Sequence, residues 1–299
     1  MNAFAQESLI LGCMRLNKLN QEEADKYLSH VIESGITFFD HSDIYAKGDC
    51  ESIFGNFLKK NPGVRDKITI QDKNAIVSGV MFDCSYEHIV NSVEGQLKRL
   101  HTDHLDSLLI HRGDVLLEPE EVNRAFNDLK KAGKVLNFGV SNFGESQLRL
   151  LQKGLDEKMK FNQLQFGPAR AELVTDAMMC NRLQDNGVNR ESNTLDYCRL
   201  HNIRIQTWSP LQYGKIEGCF LNHPKFKKLN DTLNQLGEKY NVTAATIVIA
   251  FNLRHPANMQ VILGTMNASH LDDMIKANSI KLERVEYYSI LLSAGYILP

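Results

Sequence analysis

Leu9-Ile10-Leu11-Gly12-Cys13-Met14-Arg15-Leu16 separates two kinds of α/β protein. Leu9 to Gly12 reads as a first β-strand. In an open dinucleotide-binding sheet the turn after that strand carries G-x-G-x-x-G, since only glycines let the backbone approach a pyrophosphate there. Here one glycine is followed by cysteine, methionine, arginine and leucine, so the fingerprint is missing. The open sheet is disfavoured, and the remaining chain has to supply the architecture.

It does so by repetition. Asn20 with Glu23 is suited to a capping box at the start of a helix whose stripe is Ala24, Leu28, Val31 and Ile32, and Gly35 stands at the stop position. Ile36 to Phe39 is the next strand, followed by a helix from about Cys50 to Lys60. Lys67 to Ile70 is the third strand, and Ser85 caps the helix of Ile89, Val93, Leu97 and Leu100. Leu108 to Ile110, Val135 to Val140, Phe161 to Gln165, Ile203 to Thr207 and Gln260 to Leu263 continue the strands. Helices marked by Val122/Phe126/Leu129, Leu148/Leu151, Leu195/Tyr197, Phe226 to Tyr240, Thr243 to Leu253 and Ser269 to Ala277 alternate with them, and one from Val285 to Ala294 ends the chain. A stretch from about Gly167 to Glu191 reads as irregular. About eight βα units without a linker or composition shift predict one domain over residues 1–299, a (β/α)8 TIM barrel.

The bulk numbers are those of an ordinary soluble protein. Of 299 residues, 43% are apolar and 23% charged, as in ordinary globular proteins, and the net charge of -2 gives no electrostatic reason to expect nucleic acid or an acidic membrane. No apolar run approaches the roughly 20 residues of a membrane helix, and the N-terminus lacks the pattern of a signal peptide. Six scattered cysteines without a CxxC pair read as reduced thiols, which points to the cytoplasm.

In such a barrel the reactive residues sit at the C-terminal ends of strands. The second strand ends in Asp40-His41-Ser42-Asp43-Ile44-Tyr45, the third in Gln71-Asp72-Lys73, the fourth in His111-Arg112. An acid, a phenol, an amine and an imidazole thus face one mouth. A lysine ammonium beside a tyrosine favours the phenolate and lowers the phenol's pKa, a buried ammonium needs a partner such as Asp40, and His111 can polarise a carbonyl by donating a hydrogen bond. Each residue also has a plainer reading: Asp40 as a turn cap, Lys73 as a surface lysine, His111 as a satisfied core histidine. Their joint placement favours the catalytic one. His41, Asp43 and Arg112 read as structural, Met14 as filler, and the lack of an HxH pair after the first strand argues against a metal site.

These residues carry a family resemblance. Phe39 to Tyr45, followed by Glu51 and Phe54-Gly55, then Ile68 to Lys73, Leu105 to Arg112, Gly133-Lys134-Val135 with Phe138 to Phe143, Asn162 to Gln165, and Trp208 to Leu211 resemble, in order, the motifs of the aldo-keto reductase family. The resemblance implies a nicotinamide-dependent reductase of aldehydes or ketones, in which hydride passes directly to the carbonyl carbon. Tyr45 would be the general acid, Lys73 its modulator, Asp40 the partner of Lys73, and His111 the group that orients the carbonyl. Ser141, Asn142 and Gln163 match positions that hold the nicotinamide carboxamide, and Trp208 the ring on which it stacks, though a sole tryptophan also suits a core. Ser209, Leu211, Gln212 and Gly214 match a loop over the pyrophosphate. Gly264, Thr265 and His270 match the adenosine-phosphate segment, and Asn278 an adenine contact.

Two departures stand out. The N-terminal hairpin of the family is shortened or absent, because the first strand begins almost at once. Asn267 and His270 occupy positions where NADPH-selective members carry Lys or Arg. The implied cofactor is NADP (NADPH), with NAD as a second candidate and weakened discrimination. The partner is a small-molecule carbonyl compound, with no nucleic acid and no membrane, and the oligomeric default of the family is a monomer. The competing function is a regulatory, redox-sensing barrel that binds cofactor with little turnover. A sugar-cleaving or metal-hydrolytic barrel would need paired strand-end carboxylates or metal ligands, which the sequence does not offer.

Overall fold

A computed structural model describes residues 7–179, 193–214 and 218–297. The strands are β1 (Leu9–Gly12), β2 (Phe38–Asp40), β3 (Thr69–Asn74), β4 (Ile76–Val77), β5 (Met81–Phe82), β6 (Leu105–Ile110), β7 (Val135–Ser141), β8 (Phe161–Gln165), β9 (Arg204–Trp208) and β10 (Gln260–Leu263). The helices are α1 (Gln21–Glu33), α2 (Asp49–Lys60), α3 (Tyr86–Leu100), α4 (Pro119–Lys131), α5 (Glu145–Gly154), α6 (Glu172–Met179), α7 (Thr194–Leu200), α8 (Lys227–Tyr240), α9 (Ala244–Arg254), α10 (Ala268–Ile275) and α11 (Arg284–Ser293). Eight parallel strands close in the order β1-β10-β9-β8-β7-β6-β3-β2, and β4 pairs antiparallel with β5 in a separate hairpin. This is a single-domain (β/α)8 barrel.

Local chemistry sets the helix boundaries. Asn20 and Glu23 form the reciprocal capping box at α1, and Gly35 adopts φ +88° just beyond its end, a conformation that a side chain would strain. Ser85 and Thr243 accept from the backbone N–H of His88 and Thr246 at the starts of α3 and α9. Gly55 lets α2 lie directly on the end of α3: a Cβ there would fall 2.1 Å from the Arg99 carbonyl oxygen.

The structure shifts some boundaries. β2 begins at Phe38, two residues later than the apolar run, although the Thr37 carbonyl already accepts from Thr69 N. β3 extends through Gln71, Asp72, Lys73 and Asn74, all buried, and β6 begins at Leu105. Polar residues at the end of β3 mask a strand that its neighbours impose by pairing with β2 and β6. The stretch expected to be irregular contains α6, whose eight residues are too few for a visible helical stripe; positions 180–191 of that stretch fall outside the described residues. No strand precedes β1 among the described residues. Glu7 crosses the barrel's N-terminal end, with its carbonyl accepting from Gln260 Nε2 at 2.8 Å and its carboxylate bonded to Thr37.

Strand alternation sends Phe38 and Asp40, Gln71 and Lys73, Gln163 and Gln206 into the barrel interior. Ile10, Phe38 and Ile262 make a small apolar cluster there, with Trp208 against it, while the larger core lies between the strands and the helices. The rest of the interior is polar, and it leads to the C-terminal mouth.

Candidate active site

The mouth is built on strand ends held by parallel pairing. Asp40 closes β2, Lys73 lies near the end of β3, and His111 follows β6 with its N–H donating to the Asn74 carbonyl. Lys73 is fully buried and donates to Asp40 Oδ1 at 2.7 Å and to the His41 carbonyl at 2.5 Å. Its Nζ stands 5.2 Å from the centre of the Tyr45 ring, which faces the His111 ring edge-on at 6.1 Å. The four residues expected to act together are therefore brought together.

Asp40 Oδ1 also accepts from Gln71 Nε2 at 2.7 Å and Gln163 Nε2 at 2.9 Å. Gln71 and Gln206 exchange two hydrogen bonds, of 2.8 and 3.1 Å, so each amide fixes the other's orientation. Gln206 then donates to Gln260. Gln71, Gln206 and Gln260 give no motif in the sequence; only the shared inward parity of their strands could have flagged them.

Burial works against the Lys73 ammonium, yet Asp40 and Tyr45 together carry its pKa above the usual lysine value. Burial pushes the Tyr45 phenol up to about 12, against the pull of Lys73. This corrects the sequence expectation: the lysine does lower the phenol's pKa, but desolvation outweighs it. Burial, then the cations Lys73 and Arg112, pushes His111 well below the usual histidine range, so its imidazole is neutral.

A second layer lies behind these residues. Burial and then the Glu51 carboxylate push Asp43 up to about 7 and Asp72 well above the carboxylate range. Glu51 is itself held by Arg99 Nε at 2.5 Å. His41 is fully buried with neither ring nitrogen hydrogen-bonded, lies edge-on to Phe54 at 4.7 Å, and is driven down to about 3 by burial and then by Lys73.

The residues matched to a cofactor fall into three groups. Ser141, Asn142, Gln163 and Trp208 form one linked patch: Trp208 Nε1 donates to Asn142 Oδ1 at 3.2 Å, Asn142 Nδ2 to Ser141 Oγ at 2.8 Å, and Ser141 Oγ to the Gln163 carbonyl at 3.0 Å. Asn142 adopts φ +62° and also donates to the His111 carbonyl, which ties this patch to the acid–base group. Ser209, Leu211, Gln212 and Gly214 lie on the loop after β9, where Gln165 Nε2 donates to the Gly214 carbonyl and Phe220 N to that of Leu211.

Gly264, Thr265 and His270 lie after β10. Asn267 caps α10, with its Oδ1 accepting from Ser269 N and His270 N. Arg15, which no sequence motif marks, reaches the Gly264 carbonyl at 3.3 Å, and a Cβ on Gly264 would meet its guanidinium at 2.9 Å. Asn278 is not brought to this group. It lies beyond the far end of α10, about 12 Å of helix away, accepting from Ser8 Oγ at the entry of β1.

Met14 is 45% exposed beside the mouth, more open than a core filler. The β4–β5 hairpin adds Val80, Met81 and Phe82, all exposed, beyond the end of β3. Among the described residues, no group of His, Cys, Asp and Glu side chains could hold a metal ion, and no helix is long and apolar enough to cross a membrane. The described cysteines are unpaired.

Fold and site define a closed parallel barrel with a buried acid–lysine–tyrosine group at its C-terminal mouth. The Aldo/keto reductase family profile matches residues 8–290. The chain is 34% identical to YcsN, an uncharacterised oxidoreductase of Bacillus subtilis, over 97% of this chain and 95% of that one. It is 32% identical to a 6-dehydroglucose reductase of Agrobacterium fabrum, over 94% and 92%. An aldo/keto reductase from Klebsiella pneumoniae, solved in complex with NADP and acetate, superposes with a TM-score of 0.76 at 22% identity, covering 95% of this chain and 89% of that one. The chain belongs to the aldo/keto reductase family, and it is an oxidoreductase.

Proposed function

We propose that this chain reduces aldehyde or ketone groups of small molecules with NADPH, Tyr45 donating the proton. The observation that carries this reading is Lys73, fully buried between the Asp40 carboxylate and the Tyr45 ring. A phenol near 12 keeps its proton at neutral pH, the state a general acid needs. The adjacent ammonium stabilises the phenolate left behind, and Asp40 keeps that ammonium charged. His111, neutral and on the neighbouring strand end, offers the second hydrogen bond to the carbonyl oxygen.

The residues present fit a nicotinamide dinucleotide. Trp208, half-buried and anchored through Asn142, offers a ring face beside Ser141 and Gln163. Gly264 leaves room under Arg15 that a side chain would fill, and the guanidinium there supplies a cation for a phosphate where Asn267 and His270 carry no fixed charge. When bound, the cofactor supplies the hydride. The Klebsiella pneumoniae protein of the same fold was solved with NADP, which supports the same choice for this chain.

The test is NADPH consumption with activated aldehydes, diketones and 6-dehydroglucose, the last because two relatives are 6-dehydroglucose reductases. Tyr45→Phe should still bind cofactor while losing reduction about 10²-fold or more. An unchanged turnover number in that variant would remove Tyr45 from the acid role. Cofactor binding with no turnover on any compound in the panel would favour the regulatory alternative.

A further inference from the structure

We propose that the Ser42 hydroxyl decides which ring nitrogen of His111 carries the proton, and that the protonation state of Asp43 decides where Ser42 points. This rests on the reading of His111 as a hydrogen-bond donor to the carbonyl. Ser42 is fully buried, and its Oγ lies 3.0 Å from His111 Nδ1, 3.3 Å from Asp43 Oδ1 and 3.3 Å from the Lys73 carbonyl oxygen. A hydroxyl has one proton to give, so three acceptors compete for it. The Lys73 carbonyl already accepts from Gln96 Nε2 at 2.9 Å and Asp43 N at 3.1 Å. The contest is between Asp43 and His111.

A neutral imidazole has one N–H and one bare nitrogen, and the partner of one nitrogen fixes the role of the other. With Asp43 ionised, the carboxylate is the stronger acceptor and takes the Ser42 proton. Ser42 Oγ then accepts from His111 Nδ1–H, and Nε2 is left bare. With Asp43 protonated, the carboxyl O–H can donate to Ser42, Ser42 donates to Nδ1, and Nε2 carries the hydrogen. Only this second arrangement offers a carbonyl a donor; the first offers an acceptor suited to an alcohol O–H. Between the two states Asp43 releases one proton to solvent. The imidazole stays neutral, its proton moving from Nε2 to Nδ1 by exchange, and no electron is transferred.

The surroundings of Asp43 place this change in a useful range. Glu51 from α2 presses it toward the carboxyl form, while the Ser42 hydroxyl, the Ile44 backbone N–H and Arg99 from α3 favour the carboxylate; Asp72 on β3 is itself raised by burial, Glu51 and Asp43. Burial and Glu51 together push its carboxyl up to about 7. Tyr45, at about 12, does not titrate in that interval.

Nitrogen NMR of the full chain, labelled in its histidine rings, reads the tautomer without turnover. The His111 signal is assigned by its loss in His111→Gln. The expected result is Nε2–H near pH 6 and Nδ1–H near pH 8 in the unmodified protein, with no change of tautomer in Asp43→Asn or Ser42→Ala. Carbonyl reduction should fall about tenfold over that interval, as a single group titrating near 7 requires, and become flat in Asp43→Asn. The same tautomer at both pH values in the unmodified protein, or a switch that persists in Asp43→Asn, overturns the proposal. Reduction with a fixed tautomer would sink this inference alone. A switching imidazole in a chain that reduces no carbonyl would sink the reductase reading alone.

Discussion

Replacing Lys73 by methionine keeps most of the side-chain volume and removes its charge. Lys73 is fully buried and Asp40 is 2% exposed, so only protein groups answer the charge left behind. Removing one partner of a buried ion pair costs about 3–5 kcal/mol. The partners that remain say where each variant falls in that range. Without Lys73, Asp40 Oδ1 still accepts from Gln71 and Gln163, which puts Lys73→Met near the lower end, about 3 kcal/mol. Asp40→Asn removes the carboxylate that pairs the buried ammonium and leaves it neutral acceptors, the new amide oxygen and the His41 carbonyl, which puts that variant near the upper end, about 5 kcal/mol. The double variant buries no charge and loses only neutral contacts, so its cost should be about 4 kcal/mol, half the sum of the singles. With an unfolding entropy of about 2.1 cal/mol/K per residue over 299 residues, the singles should lower Tm by about 5 and 8 °C and the double by about 6 °C. Urea and thermal unfolding of the four proteins measure this cycle. Additive losses, or a greater cost for Lys73→Met than for Asp40→Asn, would refute the reasoning.

Three other outcomes are expected. Arg15→Ala should raise the NADPH Kd about tenfold, the loss of one charge-assisted hydrogen bond, read by quenching of Trp208 fluorescence; an unchanged Kd would show that Arg15 touches no phosphate. His270→Ala should weaken NADPH binding and leave NADH binding unchanged, if His270 grips the 2'-phosphate; an unchanged NADPH Kd would rule out that grip. His41, pushed down to about 3 in the folded state, lets the unfolded chain bind its proton first, so stability should fall as pH drops below about 6.5. His41 alone should remove about 2 kcal/mol between pH 7 and pH 5, and a Tm slope over that interval unchanged in His41→Leu would contradict it.

The sequence showed most of the fold because its signals were local. The Asn20–Glu23 box, the Ser85 cap and the short apolar runs each act over a few residues, and the structure has them where the pattern puts them. The end of β3 was less legible: Gln71, Asp72 and Lys73 look like loop residues until the neighbouring strands pair with them. Asp40, Tyr45, Lys73 and His111 could be read because strand ends in a barrel converge whatever the loops do. Arg15 could not, because its contact with Gly264 spans 249 positions and depends on the closure of β1 against β10. Asn278 failed for the converse reason. The match to the family's adenine contact put it in one site with His270, but one helix carries it to the other end of the barrel.

The barrel interior gives the site its rigidity and also explains its cost. Barrels of this kind usually fill that space with branched aliphatic side chains, which pack without hydrogen-bond obligations. Here Gln71, Gln206 and Gln260 occupy it, and a buried amide is tolerable only when its polar atoms find partners. The reciprocal Gln71–Gln206 pair meets that demand and removes the freedom of either amide to flip. Ser107 Oγ, 3.2 Å from Gln71 Oε1, reinforces the same orientation. Gln71 Nε2 is thereby held on Asp40 from below, while Lys73, two residues further along the same strand, and Gln163 from β8 hold the same oxygen. Three donors from β3 and β8 on one carboxylate oxygen leave Asp40 little room to turn. Since Asp40 fixes Lys73, and Lys73 stands over Tyr45, the glutamine layer bears on the Tyr45 phenol through two intermediate residues. An aliphatic layer could fill the same volume but could not hold the carboxylate.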